Sequence, residues 1–84
     1  MKEYVSVDVE TTGLAPKQDK IIEIGAVRVR DGQIVGSFTS FVNPGRILPA
    51  HITELTGILQ EQVDEAETME SVLPAFLEFA GDLP

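Results

Sequence analysis

Two carboxylates carry the chemistry that this chain could perform. Asp8 and Glu10 stand two residues apart in the segment Glu3-Tyr4-Val5-Ser6-Val7-Asp8-Val9-Glu10. Its strict alternation reads as a strand over 3–10, with Val5, Val7 and Val9 on one face and Ser6, Asp8 and Glu10 on the other. The two acids therefore share a face, with Cα atoms roughly 7 Å apart. Such a pair can hold two divalent cations at the ~3.5–4 Å spacing of two-metal phosphoryl sites. Hard oxygen donors suit Mg²⁺ or Mn²⁺, with water and substrate phosphate completing the shell. Taken alone, Asp-x-Glu reads more simply as the solvated face of an edge strand. The valine content argues for a central strand, where two like charges on one face are costly without a counter-ion. A metal would supply that counter-ion. In the following Thr11-Thr12-Gly13-Leu14, Gly13 permits a tight turn and close approach of a ligand to the backbone. Hydroxyls and amides in such a loop can bind substrate oxygens, although Thr12 reads as an ordinary turn residue.

The elements that must position this pair follow in order. Pro16 lies in a polar loop, and Ile21 to Arg30 is a strand that begins as an almost continuous apolar run broken only by Glu23. Asp31-Gly32 then predicts a type I′ turn, because both positions of that turn need positive φ. Gln33 to Val42 is the returning strand, so the second and third strands are antiparallel neighbours. Asn43-Pro44-Gly45 stops the third strand. A short helix is expected from Pro49 to Thr56, with proline in its first turn and Gly57 at its end. A second helical turn is expected near 60–64. The last helix has Thr68 or Ser71 as its N-cap, and Met69, Val72, Leu73, Phe76 and Phe79/Ala80 on one face. Pro74 favours the Ser71 start, because proline deeper in a helix costs a hydrogen bond. Phe38 and Phe41 read as sheet packing, and His51 as a surface helix residue. Strand, hairpin, then helices is an α/β or α+β pattern.

Bulk properties narrow the function classes. The chain has 84 residues, so it is at most one small domain. It is 43% hydrophobic, which argues against disorder. There is no cysteine, which removes disulfides and thiolate metal sites. No long apolar run suggests a signal peptide or a membrane span, and a cytoplasmic location is expected. The net charge of −8 argues against non-specific nucleic-acid binding through a basic face. It does not argue against a nucleic-acid enzyme whose site is built from acids and metal ions.

Asp8-Val9-Glu10-Thr11-Thr12-Gly13-Leu14 resembles the first motif of the DEDD (DnaQ-like) 3′→5′ exonuclease superfamily. The likeness continues through Ile21-Ile22-Glu23-Ile24-Gly25-Ala26-Val27, the hairpin, Val42-Asn43-Pro44 and Leu55-Thr56-Gly57-Ile58. It covers nearly the whole chain and resembles in particular the proofreading exonuclease of bacterial DNA polymerase III, either as an epsilon-like subunit or within the polymerase. A helicase-fused exonuclease module looks similar. The resemblance implies the N-terminal half of an RNase H-like α/β exonuclease fold, with residues 1–84 an incomplete domain. It implies two Mg²⁺ or Mn²⁺ ions, with Asp8 and Glu10 as catalytic metal ligands. One ion would activate water and the other would stabilise the departing 3′-oxygen. Thr11, Gly13 and Leu14 would contact the terminal nucleotide, with Leu14 wedged against its base. Leu55 and Thr56 would line its other side. Glu23 would be structural.

The implied partners are a single-stranded DNA 3′ end, RNA being open, and a polymerase subunit or domain. The family's later motifs, a His-Asn-x-x-Phe-Asp run and the segment bearing the general base and last acid, are not in these residues. The 84-residue chain alone is therefore expected not to hydrolyse DNA. In the family a fourth strand pairs with the first. Without it the Asp8 strand is an exposed edge, so a homodimer or swapped assembly is expected. Two other readings stand beside this one. A haloacid-dehalogenase-like phosphatase also begins strand–Asp-x-acid–Thr, but it wants Asp at the second acid and a helix before the next strand. A non-catalytic RNase H-like binding or assembly module is the other.

Overall fold

A computed structural model describes residues 2–13 and 19–84. Three strands form one antiparallel sheet in the order β1 (Glu3–Thr11), β2 (Ile21–Arg30), β3 (Gln33–Phe41). Three helices follow: α1 (Ala50–Thr56), α2 (Gln60–Asp64) and α3 (Met69–Ala80). Asp31 and Gly32 adopt φ of 49° and 81°, as the type I′ turn requires, and Arg30 pairs directly with Gln33 across it. Beyond the turn Val29 pairs with Ile34 and Arg28 with Gly36, so Val35 is an extra residue that bulges β3.

Register sorts the two faces of the sheet. Val9 pairs with Ile24 and Val7 with Ala26, and Ile24 and Ala26 pair onward with Ser40 and Phe38. That face receives α3. Ile24, Val42 and Val72 form a buried cluster joined by Ile21, Phe38, Met69 and Phe76. Phe38 meets Phe76 edge-on at 5.8 Å between ring centroids, and Phe79 at 5.7 Å. The expected sheet-packing role of Phe38 is therefore observed. Asp8, paired with Gly25, and Glu10, paired with Glu23, point to the opposite face.

A second cluster closes the end of the sheet. Ile22, Leu48, Ile52, Ile58 and Val63 pack together, with Phe41 against them. Burying Ile52 fully contributes about 2–3 kcal/mol and ties α1 down at one point. Pro49 is the N-cap of α1, and Gly57 at φ 79° ends it by donating its N–H to the Thr53 carbonyl at 2.8 Å. Gln60 fastens the preceding segment to α2: its side chain accepts from Leu48 N–H at 2.6 Å and donates to the Asp64 carboxylate at 2.9 Å.

Three expectations need correction. The valines of β1 suggested a central strand; among the described residues β1 is instead the exposed edge expected without the family's fourth strand, and Val7 and Val9 remain 48% and 41% exposed. Its outer side carries one backbone bond, Val5 N–H to the Pro84 carbonyl at 2.9 Å. The last helix starts at Met69 with Thr68 as N-cap, not at Ser71. Ser71 and Val72 N–H both bond the Thr68 carbonyl at 3.0 Å, and Thr68 bridges Asn43, so tertiary contacts set the start and leave Pro74 inside the helix. Pro74 is exposed, so water can replace the lost bond at the Glu70 carbonyl. Leu73, expected on the buried face, is 44% exposed, because Val72 and Phe76 take the contacts with the sheet.

At the far end of β1, Glu3 accepts from Arg28 and Arg30, each at 3.3 Å. The Arg30 hydrogen bond, aided by Arg28, holds the Glu3 carboxyl below its ordinary value of 4.5. A carboxyl that titrates lower in the fold than in the unfolded chain contributes stability above about pH 4.5 and loses it as pH falls through its folded pKa. Glu3→Gln should therefore flatten this acid limb of stability while leaving the neutral-to-alkaline part parallel to wild type. Urea midpoints measured between pH 3 and 7 check this.

Candidate functional site

Glu10 sits where the β1–β2 ladder changes register. Glu10 pairs with Glu23 but Thr11 pairs with Ile21, so Ile22 is an extra residue and β2 bulges there. A bulge re-aims side chains and ends regular pairing. Here its apolar residue, Ile22, is fully buried in the cluster that holds Ile52. The same side chain thus interrupts the ladder beside Glu10 and packs in the cluster that holds α1.

The result is a cleft of about 550 Å³ lined by Val9, Glu10, Thr11, Gly13, His51, Ile52, Leu55 and Thr56. That size is within the range of small-molecule sites. The fold thus brings together Glu10, Thr11, Gly13, Leu55 and Thr56 from two distant stretches of sequence. Asp8 lies two residues back on the same face, exposed, in a shallow depression with Ser6, Gly25, Ser37 and Thr39. Leu14 falls outside the described residues. Leu55 is 80% exposed, so its side chain stands free at the cleft rather than in the core. His51, one helical turn before Leu55, lines the same cleft; the signal that could have placed it there was its i, i+4 spacing from Leu55. A second cleft, about 480 Å³ between Lys20, Asn43 and Thr68, contains neither acid.

Several hydroxyls near the site are committed to holding the backbone. Thr12 is 3% exposed; its hydroxyl donates to Asp19 Oδ1 at 2.8 Å and accepts from Lys20 N–H at 2.9 Å. Its own N–H donates to the Lys20 carbonyl at 2.9 Å, so Thr12 pins the neck of the loop. This matches the turn role expected for it. The Thr11 hydroxyl donates to the Gly13 carbonyl at 2.6 Å and accepts from Gly13 N–H at 3.3 Å. The Thr56 hydroxyl donates to the Ile52 carbonyl at 2.8 Å and accepts from Ile58 N–H at 3.1 Å.

Asp8 and Glu10 are hard oxygen donors on one strand face. Among the described residues no three His, Cys, Asp or Glu side chains converge on one point that could hold an ion. The donor set therefore fits part of a Mg²⁺ or Mn²⁺ shell, the kind that water and substrate phosphate complete. No salt bridge among the described residues reaches Asp8, Glu10 or Glu23.

Gly13 has a packing reason to lack a side chain. A Cβ there would stand 2.6 Å from Asp19 Oδ2 and 2.8 Å from its Cγ. Gly13→Ala would push Asp19 off the Thr12 hydroxyl. Its cost, on the order of 1–2 kcal/mol for a disturbed buried hydrogen bond, should shrink on an Asp19→Ala background. A double-mutant cycle of urea unfolding measures the coupling; additive penalties would show that the clash does not operate.

Comparison with known proteins gives this architecture a family. Residues 5–83 match the family model described as "Exonuclease". The chain is 55% identical over 80 residues to a PolC-type DNA polymerase III of Clostridium perfringens, covering 95% of this chain and 6% of that protein. It is 47% identical over 85 residues to a putative bifunctional exonuclease/endonuclease protein of Mycobacterium tuberculosis, covering 94% and 13%. Among solved structures, the nuclease domain of 3′hExo, a DEDDh family member bound to rAMP, superposes with a TM-score of 0.81 at 30% identity, covering 92% of this chain and 42% of that one. Exonuclease X in complex with 5′ overhanging duplex DNA superposes with a TM-score of 0.76 at 32% identity, covering 87% and 42%. The chain thus spans a small part of its polymerase relatives. The strand–hairpin order and the family match also remove the haloacid-dehalogenase reading, which requires a helix after the first strand. With the RNase H-like exonuclease architecture and the family match in agreement, this chain belongs to the exonuclease family.

Proposed function

We propose that residues 1–84 are the N-terminal part of a 3′→5′ exonuclease domain that hydrolyses the terminal phosphodiester of single-stranded DNA during proofreading. The observation that carries this reading is the placement of Glu10, with Asp8 on the same strand face, at the mouth of a cleft walled by Leu55 and Thr56. In that domain Asp8 and Glu10 hold Mg²⁺ or Mn²⁺ and the cleft takes the 3′-terminal nucleotide. When bound, the ions supply an activated water and charge stabilisation at the leaving 3′-oxygen. This chain's own residues orient the phosphate end against β1 and the nucleoside end against α1. The 55% identity to a PolC-type DNA polymerase III supports a domain within a DNA polymerase, with DNA rather than RNA as substrate. Among the described residues no helix is long and apolar enough to cross a membrane.

Mn²⁺ titration of the 84-residue chain, followed by water-proton relaxation, tests the metal assignment. Asp8→Asn and Glu10→Gln should each weaken binding by about tenfold or more, since even supporting groups around a metal contribute that much. Equal binding by wild type and both variants would remove the metal site and favour a non-catalytic binding or assembly module.

The outer edge of β1 has exposed Val7 and Val9 beside it, and edges of this kind template pairing. The isolated 84-residue chain is therefore proposed to self-associate through β1. Sedimentation should show the mean mass rising over a tenfold concentration range; a monomer throughout would end this proposal.

A further inference from the structure

Of the cleft's side chains, four can form hydrogen bonds: Glu10, Thr11, His51 and Thr56. Thr11 already donates to and accepts from Gly13. Thr56 already donates to the Ile52 carbonyl and accepts from Ile58 N–H. Their hydroxyl protons are spent on the loop and on the end of α1. Glu10 belongs to the phosphate end of the site. His51 is exposed and makes no hydrogen bond or ion pair among the described residues. It stands one turn from the free Leu55 side chain, so the two project from the same side of α1. An imidazole can donate at one ring nitrogen and accept at the other.

We propose that His51 is a specificity-determining residue, hydrogen-bonding the nucleoside part of the terminal nucleotide while Leu55 packs against it. This rests on the nucleotide-cleft reading above and assigns the polar contact of its α1 wall to His51 rather than to Thr56. A side chain that is exposed and uncommitted needs no rearrangement to bind. Recruiting Thr56 would break bonds that hold the end of its own helix.

The test is a titration of the 84-residue chain with dTMP in the presence of Mg²⁺, followed by NMR at the His51 ring, the Leu55 methyls and the Glu10 amide. Inorganic phosphate serves as the control ligand. The expected result is one binding curve for all three reporters with dTMP, and no response of the His51 ring to phosphate. His51→Ala should raise the dissociation constant about three- to tenfold, the worth of one hydrogen bond. His51→Gln should recover part of the loss. Neither variant should move the urea midpoint much, because the side chain is exposed. If dTMP shifts Leu55 and Glu10 but His51→Ala binds equally well, the His51 assignment is overturned and the cleft reading stands. A His51 response to phosphate as large as to dTMP overturns the nucleoside assignment. If no reporter responds to dTMP, the cleft reading itself fails, and the His51 assignment with it.

Discussion

The pairing of β1 with β2 is the constraint on which everything else in this molecule depends. Val9 opposite Ile24 and Asp8 opposite Gly25 fix which side chains of β1 face α3 and which face away. A slip of one residue would turn Asp8 and Glu10 toward the helix and Val7 and Val9 away from it. The bulge at Ile22 ends that regularity where Glu10 stands. Because Ile22 is also the fully buried centre of the α1–α2 cluster, the helix carrying His51 and Leu55 is placed relative to the same residue pair. One register therefore sets both walls of the cleft.

A division of labour follows around that register. Thr11, Thr12 and Thr56 hold the backbone, and in the proposed site the groups left for a nucleotide are carboxylates, an imidazole and an apolar Leu55 side chain. A small domain has few ways to make a loop and a short helix end rigid, and internal hydroxyl bonds are among the least demanding. Such bonds make the cleft walls firm without drawing on the groups that must stay available. Gly13 fits the same scheme: its missing Cβ leaves room for the Asp19 carboxylate that Thr12 needs.

Much of this could be read from the residues alone, for identifiable reasons. The Asp31-Gly32 hairpin was legible because positive φ at two adjacent positions restricts which residues fit. The shared face of Asp8 and Glu10 was legible because a strand has a period of two. The start of α3 was not, because Pro74 is a local signal and the Thr68 bridge to Asn43 is a contact 25 positions away. The valines of β1 misled for a related reason: composition reports a preference for sheet, not a place in its order. In sequence Thr56 read as lining the nucleotide and His51 as a surface helix residue, since nothing in the chain order shows which hydrogen-bonding capacity is already used.

The charges of β1 show why its two ends behave differently. At one end Glu3 lies between two arginines, and its charge is neutralised within the fold. At the other, Asp8, Glu10 and Glu23 share one face of the sheet, with Glu10 and Glu23 directly opposite in register. No ion pair among the described residues reaches any of the three. Like charges facing each other across a strand pair are destabilising. The same strand thus shows that arginine pairing is available to this fold and is used where the role is structural. Leaving the other end uncompensated maintains a negative potential at the cleft mouth, which suits the cation of the proposed site. Under the proposed function, it would also reconcile a net charge of −8 with a polyanionic substrate. In that reading the proposed cation, rather than a lysine or arginine surface, would mediate between two sets of negative charge.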